Sequence, residues 1–171
     1  MNWADRQLER AHDALQRCSS GLTLAQLTAR PPGKWTIAEI FEHLALAFSL
    51  TAVGARRAVT SGRRTSRTPD LRSRFRAFVV IDCRYFPTGV DAPKMVIPAG
   101  IEPATALPMA LANLREMDAA LAEAATRFGT RVKLVDHPIL GPLSVRQWRT
   151  FHWVHARHHV KQVNARTVME P

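Results

Sequence analysis

The segment Thr36-Ile37-Ala38-Glu39-Ile40-Phe41-Glu42-His43-Leu44-Ala45-Leu46-Ala47-Phe48-Ser49-Leu50 decides the fold. A hydroxyl residue followed three positions later by glutamate is a capping box, in which each side chain satisfies a free backbone N–H at a helix start. Behind it an apolar run continues to about Val59, with leucine, alanine and phenylalanine on nearly every side. A helix that is apolar all round is a buried one. The segment therefore predicts a long helix inside the protein.

Helical periodicity also dominates the flanking sequence. Residues 3–18 place Ala4, Leu8, Ala11, Leu15 and Cys18 on one stripe, ended by Ser19-Ser20-Gly21. A shorter helix is expected from Leu71 to Cys83, after Pro69-Asp70. Residues 84–104 hold Pro87, Pro93, Pro98 and Pro103, which rule out a central strand or helix and leave a long loop. From about Ala106 to Phe128, Leu107, Leu111, Leu114, Leu121 and Phe128 share a face, with Pro108 expected in the first turn and Gly129 as the stop. Pro138, Gly141 and Pro142 mark a turn, and Ser144-Val145-Arg146-Gln147 is a second capping box that opens the last helix, to about Arg166. The expected fold is all-α: one domain over 1–171, a four-helix bundle with one long crossover connection and an additional short helix.

Composition narrows the function. No stretch is read as the roughly 18 apolar residues that span a bilayer, and the N-terminus lacks an apolar signal core. A cytoplasmic protein with no membrane partner is expected. Cys18 and Cys83 form no CxxC pair, so neither a disulfide framework nor a thiolate zinc site is indicated, and both are read as buried, inert thiols. The net charge of +10 is local. Residues 56–76 carry eight arginines (Arg56, Arg57, Arg63, Arg64, Arg67, Arg72, Arg74, Arg76) against one acid, Asp70. Such a patch attracts phosphates, but no helix-turn-helix, zinc-finger or RRM signature accompanies it. The interleaved Thr60, Ser61, Gly62, Thr65, Ser66 and Thr68 read as a solvated, mobile linker, so nucleic acid is not the expected partner.

The chemistry concentrates in His152-Trp153-Val154-His155-Ala156-Arg157-His158-His159-Val160-Lys161-Gln162. His155 and His159 project about 40° apart on a helix, in one sector with Trp148, Gln162 and Arg166. Two imidazoles one turn apart can grip a single ion, as in the helical HExxH zinc motif, although the glutamate of that motif is missing here. His152 and His158 lie about 60° to either side and are alternative ligands; the 155/159 pair is preferred because it is centred on the Trp148–Gln162 stripe. His43 lies mid-helix in the buried segment. With it the set becomes three imidazoles and an open position, the pattern of a catalytic metal site. Glu39, one turn before His43, either orients that ring or serves only the cap. Asp118, on the Leu114–Leu121 face, reads either as a fourth ligand, general base or acceptor for a ligand, or as part of a solvated bundle edge. Metal affinity is expected to fall as pH drops through about 6.5, because histidine ligands must be deprotonated.

Trp35-x-x-x-Glu39-x-x-x-His43-Leu44, followed by His155-x-x-x-His159-x-x-Gln162, resembles the DinB-like (YfiT-like) superfamily over roughly residues 30–165. His137-Pro138 through Gly141-Pro142-Leu143 and on to Trp148 resembles one uncharacterised branch of it. The resemblance implies a four-helix bundle whose three histidines bind zinc or nickel, with His43, His155 and His159 at the matching positions. Some members of that superfamily transfer small thiols and others isomerise maleylpyruvate. The resemblance does not select a substrate. An ion on the three histidines would make a bound water or thiol nucleophilic at neutral pH, so the leading expectation is a metal-dependent transferase or hydrolase with a small-molecule substrate, a low-molecular-weight thiol being one candidate. The competing readings are a nucleic-acid or acidic-partner module using 56–76 and a non-catalytic metal-stabilised bundle. Trp153 projects about 160° from His155 and needs cover, either from the 84–104 loop or from a second subunit; the resemblance favours a homodimer.

Overall fold

Both capping boxes form. Thr36 Oγ1 accepts from the Glu39 amide at 3.1 Å, and Glu39 Oε2 accepts from the Thr36 amide at 2.7 Å. Ser144 and Gln147 repeat the exchange at 3.1 and 3.3 Å. These contacts come from a computed structural model that describes residues 5–65 and 67–167. Ala4 of the expected first stripe and Ser66 of the basic segment lie outside the described residues.

The described chain is predominantly helical. Its helices are α1 (Asp5–Ser19), α2 (Leu24–Thr28), α3 (Ile37–Ser61), α4 (Leu71–Ala77), α5 (Pro103–Phe128) and α6 (Val145–Thr167). Gly62, at φ +66°, ends α3 in the left-handed conformation that costs glycine least. One π-helical turn, Phe78–Asp82, extends α4, and a 3-10 turn, Lys94–Val96, interrupts the proline-rich loop. The most extensive helix pairing joins α3 to α5, and the next joins α1 to α6.

Four expectations need correction. The fold is not all-α: β1 (Lys133–His137) and β2 (Gly141–Ser144) form an antiparallel hairpin where a turn alone was expected. The core face of α5 is centred on Ala106, Ala110, Leu114, Met117, Leu121 and Ala124, while Leu107, Leu111 and Phe128 are only half-buried. Alanines also fill the buried face of α3 at 38, 45, 52, 55 and 58, and small side chains at a helix contact allow close approach. Because α5 starts at Pro103, Pro108 lies inside the helix rather than in its first turn, and the missing N–H falls in the second turn. Finally, α3 is long and apolar enough to cross a membrane by composition, but 61% of its apolar window is buried inside the protein.

The cysteines also depart from expectation. Cys18 is half-buried, with its thiol donating to the Leu15 carbonyl, whereas Cys83 is exposed. The eight arginines of the basic segment are exposed, as expected of a solvated linker, and Thr65 ties the segment to β1. The Thr65 amide donates to Leu134 O and its hydroxyl donates to Asp136, both at 2.9 Å. Arg56 and Arg67 pair with Glu116 and Asp136.

Candidate metal centre

Helix α3 delivers His43 and helix α6 delivers His155 and His159, all three buried. Their Nε2 atoms converge. His155 Nε2 stands 3.1 Å from His43 Nε2 and 3.0 Å from His159 Nε2. Among the described residues these three form the group of ligand-type side chains placed to hold an ion, with ligand atoms all within 4.8 Å of one another.

The far sides of two rings fix the chemistry of the near sides. His43 Nδ1 lies 2.8 Å from the Val96 carbonyl, an acceptor only, so it carries the proton there and keeps a lone pair on Nε2. His159 Nδ1 lies 2.9 Å from Gln162 Oε1, while the Gln162 amide nitrogen faces His158 Nε2 at 2.9 Å. With that amide orientation His159 also turns an Nε2 lone pair inward. Burial pushes all three imidazoles below the ordinary range; His159 falls to about 3, with His43 beside it adding to the effect. The rings are neutral, the form a metal requires.

Other histidines find other partners. His152 is fully buried, with Nε2 2.9 Å from the Thr51 hydroxyl, and its ring stacks on Trp148. His158 faces Gln162 and packs on Phe86. Neither joins the triad. Glu39 serves the cap and binds Arg30 at 2.6 Å rather than orienting His43. Asp118 is not brought to the site; it pairs with the buried Arg149 at 2.7 Å. Trp35 lies against His43, ring centres 5.0 Å apart.

Two contributors were missed in the sequence. Glu42, buried beside His43, accepts from the amides of Ala99, Gly100 and Ile101 at 2.8, 3.0 and 3.1 Å. It clamps the proline-rich loop onto α3, and the same loop supplies the Val96 carbonyl. An acid inside a helix apolar all round needs buried donors, and that was the available signal. His137, at the end of β1, was noted only within the stretch that carries the family resemblance and was given no role; it lines the same cavity as the triad.

That cavity holds about 710 Å³. Its walls are mostly apolar, with Trp35, Phe86, Val96, Ile139, Trp148 and Phe151 around the imidazoles. Leu50, Phe75, Val90 and Met95 line it and are also exposed, so apolar side chains stand at its opening beside the charged Arg76, Asp91 and Asp136.

The model of the family described as "Protein of unknown function (DUF1569)" matches residues 3–166, and the chain belongs to that family. No match is found among curated proteins or solved structures.

Proposed function

We propose that this DUF1569 protein is a metal-dependent enzyme acting on a small molecule, with His43, His155 and His159 holding one zinc or nickel ion. The reading includes a DinB-like arrangement in which α1, α3, α5 and α6 form a four-helix bundle around the centre. The observation that carries it is the pair of outer hydrogen bonds, from His43 to Val96 and from His159 to Gln162, that turn two neutral Nε2 lone pairs inward.

The residues fit such an ion. Nitrogen ligands at about 2.0–2.1 Å from tetrahedral zinc stand about 3.3 Å apart, close to the 3.0 and 3.1 Å separations of these atoms. Three protein ligands are the number catalytic zinc sites use, leaving one position for water or substrate. A bound ion would supply Lewis-acid chemistry, lowering the pKa of a water or thiol so that it is nucleophilic at neutral pH. The chain's own part is to present neutral ligands, to hold two of them through Val96 and Gln162, and to line the centre with mostly apolar walls. Transfer of a small thiol to an electrophile and metal-assisted hydrolysis both suit this arrangement. The apolar walls provide room for an electrophile with an apolar body.

Elemental analysis of tag-free wild type and of the His155→Ala and His159→Ala proteins tests the assignment. The expected result is one equivalent of a divalent transition metal in wild type and strong loss in each variant. Full occupancy in both variants would overturn it.

A further inference from the structure

The cavity wall contains an imidazole with no place in the triad. His137 closes β1, and its Nδ1 accepts from the backbone amides of both Ile139 and Leu140, each at 3.1 Å. Two donors converging on one ring nitrogen leave no room for a proton there, so the neutral ring carries its proton on Nε2. Nε2 is the one polar atom the side chain has left, and the ring is part of the cavity wall.

The ring is also held in place. Phe151 meets it edge-on at 4.5 Å and Trp148 packs at 5.5 Å. Trp148 is itself tied to β1 through a 3.3 Å bond from its indole N–H to the Val135 carbonyl. The hairpin rests on α4 at Gly141, where φ is +71° and a Cβ would stand 3.1 Å from the Ser73 side chain. Burial pushes the His137 imidazole down to about 4, so one tautomer persists at every pH near neutrality. A neutral, immobile N–H donor on an apolar wall is suited to orienting a ligand and unsuited to taking up a proton.

We propose that His137 is a substrate-binding residue whose Nε2–H donates to an uncharged acceptor oxygen, a carbonyl oxygen by preference, on a flat apolar substrate held beside the three imidazoles. This deepens the reading of the cavity as a substrate site and rests on it. Flatness follows from the aromatic walls Trp35, Phe86, Trp148 and Phe151. An uncharged acceptor at this position follows from the ring itself, a neutral donor, and from the carboxylate-bearing Asp136 next to it in β1, which also lines the cavity. An anion held against His137 would meet a neutral N–H and an adjacent acid, and a buried charge without a charged partner is costly.

The probes are the neutral fluorescent ketone 6-propionyl-2-dimethylaminonaphthalene and its parent 2-dimethylaminonaphthalene, which has no carbonyl. Emission of the ketone moves to longer wavelength when its oxygen accepts a hydrogen bond. Wild type should bind the ketone about 10-fold more tightly than the parent, the worth of one hydrogen bond in an apolar site. In His137→Phe the preference should vanish and the bound ketone should emit at shorter wavelength, with parent binding retained as a check on the cavity. His137→Gln, which keeps an N–H donor, should recover part of both effects. Wild type that fails to bind the ketone or shows no preference for it, or a preference that survives in His137→Phe, would overturn the proposal. If His137→Phe does not fold, His137→Gln is read against wild type: a weaker preference for the ketone with bound emission moved to shorter wavelength supports the proposal, and a preference and wavelength both unchanged from wild type overturn it. Metal content is read separately on the same preparations. Metal-free protein that prefers the ketone keeps the donor and rejects the metal reading; metal-loaded protein indifferent to His137 rejects the donor alone.

Discussion

His43 and His159 each commit Nδ1 to an oxygen outside the triad, and that commitment is what makes their inner nitrogens ligands. Side chains that orient a metal-binding histidine are typically worth about 10–100-fold in affinity. Gln162→Leu should therefore weaken zinc binding by about that factor without abolishing it, measured by competition with a chromogenic chelator. His159→Ala should weaken it far more. Wild-type affinity in Gln162→Leu would show that the amide does not set the tautomer. The same residue scale limits what could be read in advance. His155, His159 and Gln162 are visible from helical spacing because one helix carries all of them. The Val96 carbonyl is not visible, since a backbone oxygen 53 positions from His43 leaves no trace in residue type.

Among the elements, the proline-rich loop depends most on a single side chain. Glu42 satisfies three consecutive amides of that loop, and each hydrogen bond of this kind contributes about 0.5–1.5 kcal/mol. Glu42→Ala should lower stability by about 2 kcal/mol or more and speed amide exchange at Ala99, Gly100 and Ile101. It should also weaken metal binding, because the loop carries the acceptor for His43. Unchanged exchange at those three amides would refute the clamp. The long helices were legible because capping boxes and apolar periodicity extend over many residues. The hairpin was not: its strands have five and four residues, too short for alternation to register, and Pro142 sits inside β2, where proline argues against a strand. The α5 face was misjudged for a related reason. Leucines at 107 and 111 outweigh alanines at 106 and 110 in any count of apolar character, yet the alanines form the buried seam.

The whole molecule carries an unusual load of buried imidazole, and acid should expose it. His43, His137, His152, His155 and His159 are all pushed below the ordinary value of 6.5, chiefly by burial, His137 to about 4 and His159 to about 3. In the unfolded chain each titrates near 6.5. Above that pH neither state binds the protons and these groups contribute no pH dependence. Below it the unfolded chain takes up protons that the folded chain refuses, so stability falls as pH falls, by up to about 1.4 kcal/mol per pH unit for each group. Glu39 and Asp70 have lowered values and act in the same direction. Their effect begins only as pH falls through the carboxylate range near 4.5, which leaves the interval from 6.5 to 4.5 to the histidines. The melting temperature of the chelator-treated protein should therefore be flat from pH 8 to about 7 and drop steeply between 6.5 and 4.5, followed by calorimetry. Metal release should accompany that unfolding rather than trace a single imidazole titration at 6.5, because the folded ligands are already neutral well below it. His152→Gln keeps a hydrogen-bonding partner for Thr51 and removes one titrating group from outside the triad, so it should flatten the slope by about one proton. A melting temperature that stays level from pH 7 to pH 5 would mean that these rings are not held neutral in the folded protein, and the tautomers assigned to the centre would lose their basis.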